Sequence, residues 1–91
     1  SDTAKKDDKP FTDAEFVKKA ASSGMHEVEL GKLAAAQAKS DDVKKFGQKM
    51  VDDHTKANEE LKAAAKKANT DVPAKMEEEH QKHVEMLKGM K

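Results

Sequence analysis

The side chains in this sequence with the widest chemical range are imidazoles and carboxylates at helical spacing, and the most informative is His54. It sits in Lys44 to Leu61, KKFGQKMVDDHTKANEEL. A step of 100 degrees per residue gathers Val43, Gly47, Met50, Val51, Ala57 and Leu61 on one side of that stretch, with His54 near the centre of the face. An imidazole there needs a partner, because a buried polar group without a hydrogen bond is costly. Two roles fit it: member of a structural polar pair, or metal ligand. His80 and His83, three residues apart on one helix face, form a second group. Neutral imidazoles at that spacing suit zinc, copper or nickel, but two ligands alone make a weak site, and lining a partner interface is the preferred reading. Glu77-x-x-His80 is the Glu-x-x-His pattern that bundle metal sites use. His54 lacks that pattern, since Val51 stands three before it.

No constellation for catalysis accompanies these residues. The chain has no Cys and no Tyr, no Gly-rich phosphate loop, and no Ser-His-Asp set whose geometry follows from spacing. Asp52, Asp53 and His54 are consecutive, so on a helix their side chains diverge. The sequence therefore reads as a non-enzyme.

Three helices position these groups. Thr12 is an N-cap with Glu15 closing a capping box, and Phe11 is placed to staple onto Phe16. The first helix then runs over about 13–38, with Glu27 inside its apolar face and Gly24 and Gly31 seven residues apart on it. Each glycine costs up to ~1 kcal/mol in a helix relative to Ala, so the pair implies close helix contact. Ser40, Asp41 and Asp42 start a second helix over about 41–68. Asn69 to Pro73 breaks the chain, and Pro73 suits the first turn of a third helix over about 73–88, with Gly89 as its stop. Residues 1–10 read as a polar tail and residues 11–91 as one helical-bundle domain.

Short connections force antiparallel neighbours. Pairing the first two helices by residue numbers that sum to 81 sets small residues against larger ones: Gly24 with Ala57, Gly31 with Met50, Ala34 with Gly47, and Ala35 with Phe46. Glu27 with His54 falls in the same register as the one polar pair of the seam. The same arithmetic across the second turn sets His83 near Asn58.

Composition agrees with an all-α antiparallel bundle. Of 91 residues, 40% are charged and only three are aromatic, all Phe, so the core is thin and rests on Ala, Val, Leu and Met. A protomer this small, with amphipathic helices and no disulfide, is expected to complete its core by self-association, a dimer being the simplest form. Met25, Met86 and Met90 offer an adaptable apolar surface for such contacts. Eighteen Lys balance eighteen Asp plus Glu and there is no Arg, which argues against nucleic acid as a partner. No run approaches the roughly 18 apolar residues of a membrane span. The opening SDTAKKDDKP is polar and without periodicity, which suits the start of a mature exported chain after removal of a signal or simply an ordinary frayed terminus.

Phe16-Val17 through Ala20-Ala21, Glu27 through Ala34, Val43 through Phe46, Met50 through His54, Asn58 through Leu61 and Val72-Pro73 together carry a resemblance. At these residues the chain resembles an exported bacterial family of unknown function with a ferritin-like helical bundle, predicted to be periplasmic or outer-membrane. The resemblance implies a bundle, an extracytoplasmic location, and Glu27 and His54 as the recurrent inward acid and histidine. It also implies that this chain corresponds to the first three helices of a four-helix unit. Two functions follow as expectations. One is a structural or binding module of the cell envelope; the other is a metal-binding protein of ferritin-like ancestry that holds a divalent ion such as zinc, copper or iron with Glu27, His54, Glu77, His80 and His83.

Overall fold

The computed structural model describes residues 12–90. They form three helices, α1 (Asp13–Gln37), α2 (Asp41–Lys67) and α3 (Glu78–Lys88), with no strand among the described residues. The all-α bundle expected from composition and periodicity is what forms.

Local chemistry sets most of the helix ends. The Thr12 hydroxyl accepts from the Glu15 amide and the Glu15 carboxylate accepts from the Thr12 amide, so the capping box is complete. Phe11 and its staple lie outside the described residues. Ser40 Oγ caps α2 through the Val43 amide, with Asp41 and Asp42 in the first turn. At the other end, Asn69 adopts φ 57°. The Asn69 amide donates to the Lys66 carbonyl and the Thr70 amide to that of Ala65. This is a Schellman stop in which Asn takes the left-handed position usually given to Gly.

The α1/α2 seam follows the register read from the sequence to within a residue. A Cβ built on Gly31 would lie 3.0 Å from the Met50 Cβ and 2.7 Å from the Gly47 carbonyl oxygen; one built on Gly47 would lie 2.8 Å from the Ala34 Cβ. The two backbones touch at this crossing. Gly24 faces the Asn58 side chain rather than Ala57, a shift of one position that leaves Ala57 exposed. Phe46 also lies off the seam, with 61% of its surface exposed.

The third helix departs from expectation in two ways. It begins at Glu78, not near Pro73, and the residues between Thr70 and Glu77 form an extended link. It packs on α1, and no Cα of α3 comes within 8 Å of one of α2. Residues 77, 80 and 83 meet residues 19 to 26 in ascending order, so α3 runs parallel to α1. The up-down-up order of a bundle is kept, while the neighbour of α3 is the first helix instead of the second. The small core is Val17 and Ala21 of α1, Ala65 of α2 and Val84 of α3.

Candidate functional site

The α1/α3 interface gathers the polar chemistry of the molecule. Lys19, Ser22 and His26 recur at spacings of three and four residues and line one stripe of α1. Glu77, His80 and His83 recur every three residues at the start of α3 and face that stripe. The Lys19 ammonium lies 3.2 Å from a Glu77 carboxylate oxygen. Ser22 Oγ accepts from the Glu77 amide at 2.7 Å and lies 2.6 Å from His80 Nδ1. His26 Nε2 lies 2.8 Å from His83 Nδ1. The rings of His26 and His80 stack with centroids 4.5 Å apart and planes within 5°, while His83 is tilted by 51° against His26.

The hydrogen assignments follow from what each group can do. An amide nitrogen only donates, so Ser22 Oγ accepts the Glu77 N–H, and with one hydrogen and a second lone pair left it bonds His80 Nδ1 as donor or as acceptor according to the His80 tautomer. Between His26 and His83 one N–H fills the gap, from either ring. Ser22 is 1% exposed and its oxygen is engaged on both sides, so the Ser22/His80 contact is a structural joint between helices. The Glu77 amide finds its acceptor on α1, its carboxylate goes to Lys19, and its side chain makes no cap bond to α3. The start of α3 is thus fixed from another helix.

Burial lowers the His26 pKa from its ordinary value near 6.5, and the adjacent His80 and His83 lower it further, while Glu27 opposes them. The carboxylate effect is the smallest of the four.

Of the five metal-candidate residues, the structure brings His80 and His83 to one interface and places Glu77 at its end. It does not bring Glu27 and His54 together: no hydrogen bond or ion pair joins them, and His54 Nδ1 instead donates to the Met50 carbonyl of its own helix at 2.9 Å. His83 meets His26, not the neighbourhood of Asn58. Glu27, His54, Glu77, His80 and His83 therefore form no common ligand set, and among the described residues no group of three or more His, Cys, Asp or Glu is placed to hold a metal ion. The ring nitrogens that meet across α1 and α3 are already occupied by hydrogen bonds. His26 and Ser22 are the participants that sequence reasoning missed. The signal for them was the stripe Lys19, Ser22, His26 beside the apolar face of α1, matched in spacing by Glu77, His80, His83.

A second feature lies on the other side of α3. A cleft of about 730 Å³ lies between α2 and α3. Met25 and Val28 of α1 form its floor, Leu61 and Val84 its walls, and Val72, Pro73 and Met76 of the link close one end.

Fold and site together define an all-α helical module with a closed polar joint and an open apolar cleft, and without a catalytic motif. The chain belongs to the family described as Domain of unknown function (DUF4142), which matches residues 1–91. No curated protein and no solved structure matches it.

Proposed function

We propose that this chain is a non-enzymatic structural or binding module of the bacterial cell envelope that works as a homodimer. The cleft between α2 and α3 is the observation that carries this reading. Apolar walls of this extent gain by being covered. The cleft is rimmed by Lys62, Lys75 and Lys88 and by Glu29, Glu59 and Glu85, of which Lys62–Glu59 and Lys88–Glu85 pair along their own helices, so a two-fold-related copy would meet a charge-balanced rim. Phe16 and Met86, each 58% exposed, supply further apolar surface for contact.

A ferritin-like ancestry for the bundle rests on the family resemblance alone. Envelope placement rests on the residues that resemble the exported family, and no helix of the described residues is long and apolar enough to cross a membrane. The metal-binding alternative draws no support from the geometry.

Light scattering coupled to size exclusion tests the assembly: a dimer mass is expected, reduced to a monomer by Leu61→Lys in the cleft wall. A wild-type monomer at high micromolar concentration with full helical circular dichroism removes the dimer. Fractionation of cells expressing the whole gene product tests the location, and recovery in the cytoplasmic fraction removes the envelope assignment.

A further inference from the structure

Three of the four histidines of the chain lie in the one interface that holds α3. Their contacts have a limited capacity for protons. If either His26 or His83 gains a proton, an N–H still meets a free nitrogen across the 2.8 Å gap. If both do, two N–H groups meet head to head and the bond is lost. Charge on both His26 and His80 also sets two cations face to face in the 4.5 Å stack. The docked interface thus tolerates one extra proton on the His26/His83 pair, opposes a second there, and opposes charge on His26 and His80 together.

We propose that His26, His80 and His83 form an acid-operated latch: uncharged, they hold α3 on α1, and acidification through the ordinary histidine range releases α3 while the α1/α2 hairpin stays folded. Release removes one wall of the cleft and uncovers Ala21 and Val84, both buried when α3 is docked.

The surrounding charges do not offset the added protons. On α1, Glu27 favours the charged form of His26 but is outweighed by burial and by the two other rings. Glu77 of α3 is paired with Lys19. On α2, the residues level with this part of α1 include Asp53, His54, Lys56, Glu59 and Glu60. Asp53 pairs with Lys49 and Glu59 with Lys62 along their own helix, and none of the five bonds to the cluster. The sign follows from the lowered pKa of His26. The detached state binds more protons, so docking is fully present above about pH 6.5 and is lost as pH falls below it.

Amide hydrogen exchange on the intact chain, read by NMR and corrected for intrinsic rates, tests the latch. Between about pH 7.5 and pH 5, the α3 amides of Val84 and Leu87 are expected to lose roughly tenfold or more of their protection. The α2 amides of Gly47 and Met50 keep theirs. Unchanged α3 protection at the lower pH overturns the proposal, and so does simultaneous loss across all three helices, which is global unfolding. His26→Gln, His80→Gln and His83→Gln together keep donors and acceptors at the three positions without a titrating ring, and the variant is expected to hold α3 down to the carboxylate range near pH 4. Release at the wild-type pH in that variant rules the latch out. If the variant fails to dock at neutral pH, the wild-type chain decides: ring resonances of His26, His80 and His83 must shift over the interval in which α3 loses protection, and separate intervals overturn the proposal. His54→Gln is the control, and a moved α3 midpoint there counts against the assignment.

Discussion

The two faces of α1 are joined to their partners by opposite means. Toward α2 the contact is one of shape, with Gly31 and Gly47 bringing backbone against backbone and no polar side chain between them. Toward α3 the contact is made by hydrogen bonds among Ser22, His26, Glu77, His80 and His83, with Val84 as the one buried apolar residue of that helix. Steric fit does not depend on proton activity, whereas a joint of imidazoles and a hydroxyl does. The same helix therefore belongs to a firm hairpin on one side and to a detachable element on the other.

The strongest way to break this contrast is to spoil the fit. A Cβ at Gly47 meets the Gly31 carbonyl oxygen at 2.7 Å and the Ala35 amide nitrogen at 2.8 Å, and backbone atoms cannot swing aside. Gly47→Ala gains up to ~1 kcal/mol of helix preference and loses more by forcing the helices apart, where overpacking costs about 1–3 kcal/mol. Net destabilisation of roughly 2 kcal/mol in urea unfolding is expected. Gly24→Ala is the internal control, since its Cβ meets the end of the Asn58 side chain, which can rotate away. Equal losses at the two glycines would mean that the seam is looser than the crossing at Gly31 and Gly47 indicates.

Next in size is the joint on the other face. Ser22→Ala takes the acceptor from the Glu77 amide and the hydrogen-bond partner from His80 Nδ1 at once, and an unsatisfied buried polar group costs about 1–3 kcal/mol. Because the hairpin does not use Ser22, the loss is expected in α3 first: reduced exchange protection in Glu78–Lys88 with that of α2 intact. Uniform loss of protection across the chain would make the two faces one cooperative unit and erase the distinction between them.

These two faces were unequally legible in the sequence. The capping box at Thr12, the Ser40 cap and the pairing of Gly31 with Met50 and Ala34 with Gly47 rest on short-range rules of spacing and size, and the structure contains them. The position of α3 rests on an atom far away in the chain. Pro73 satisfies every local rule for a helix start, yet the helix begins five residues later because the Glu77 amide is received by Ser22 and its carboxylate by Lys19, both on α1. His26 was passed over because it lies beside the apolar face, not in it. It becomes visible only when a second polar stripe of matching spacing is set against its own. His54, at the centre of the apolar face, drew the attention that belonged to His26.

The smallest effect predicted is the one that separates these two histidines most cleanly. In a register summing to 81, Glu27 and His54 lie at one level, and a buried pair of this kind loses about 3–5 kcal/mol when one partner is removed. The structure gives His54 a different bond, from Nδ1 to the Met50 carbonyl one turn earlier on its own helix. Such a bond is local to α2 and leaves nothing stranded on α1 when it is lost. His54→Gln is therefore expected to cost less than about 0.5 kcal/mol, the range of substitutions away from special features. In a double-mutant cycle with Glu27→Gln, the coupling should stay within the roughly 0.3–0.5 kcal/mol that independent sites show. A coupling above about 1 kcal/mol would instead put carboxylate and imidazole in contact. It would give the hairpin a polar anchor at its centre, and the contrast between a seam held by shape and a joint held by protons would no longer hold.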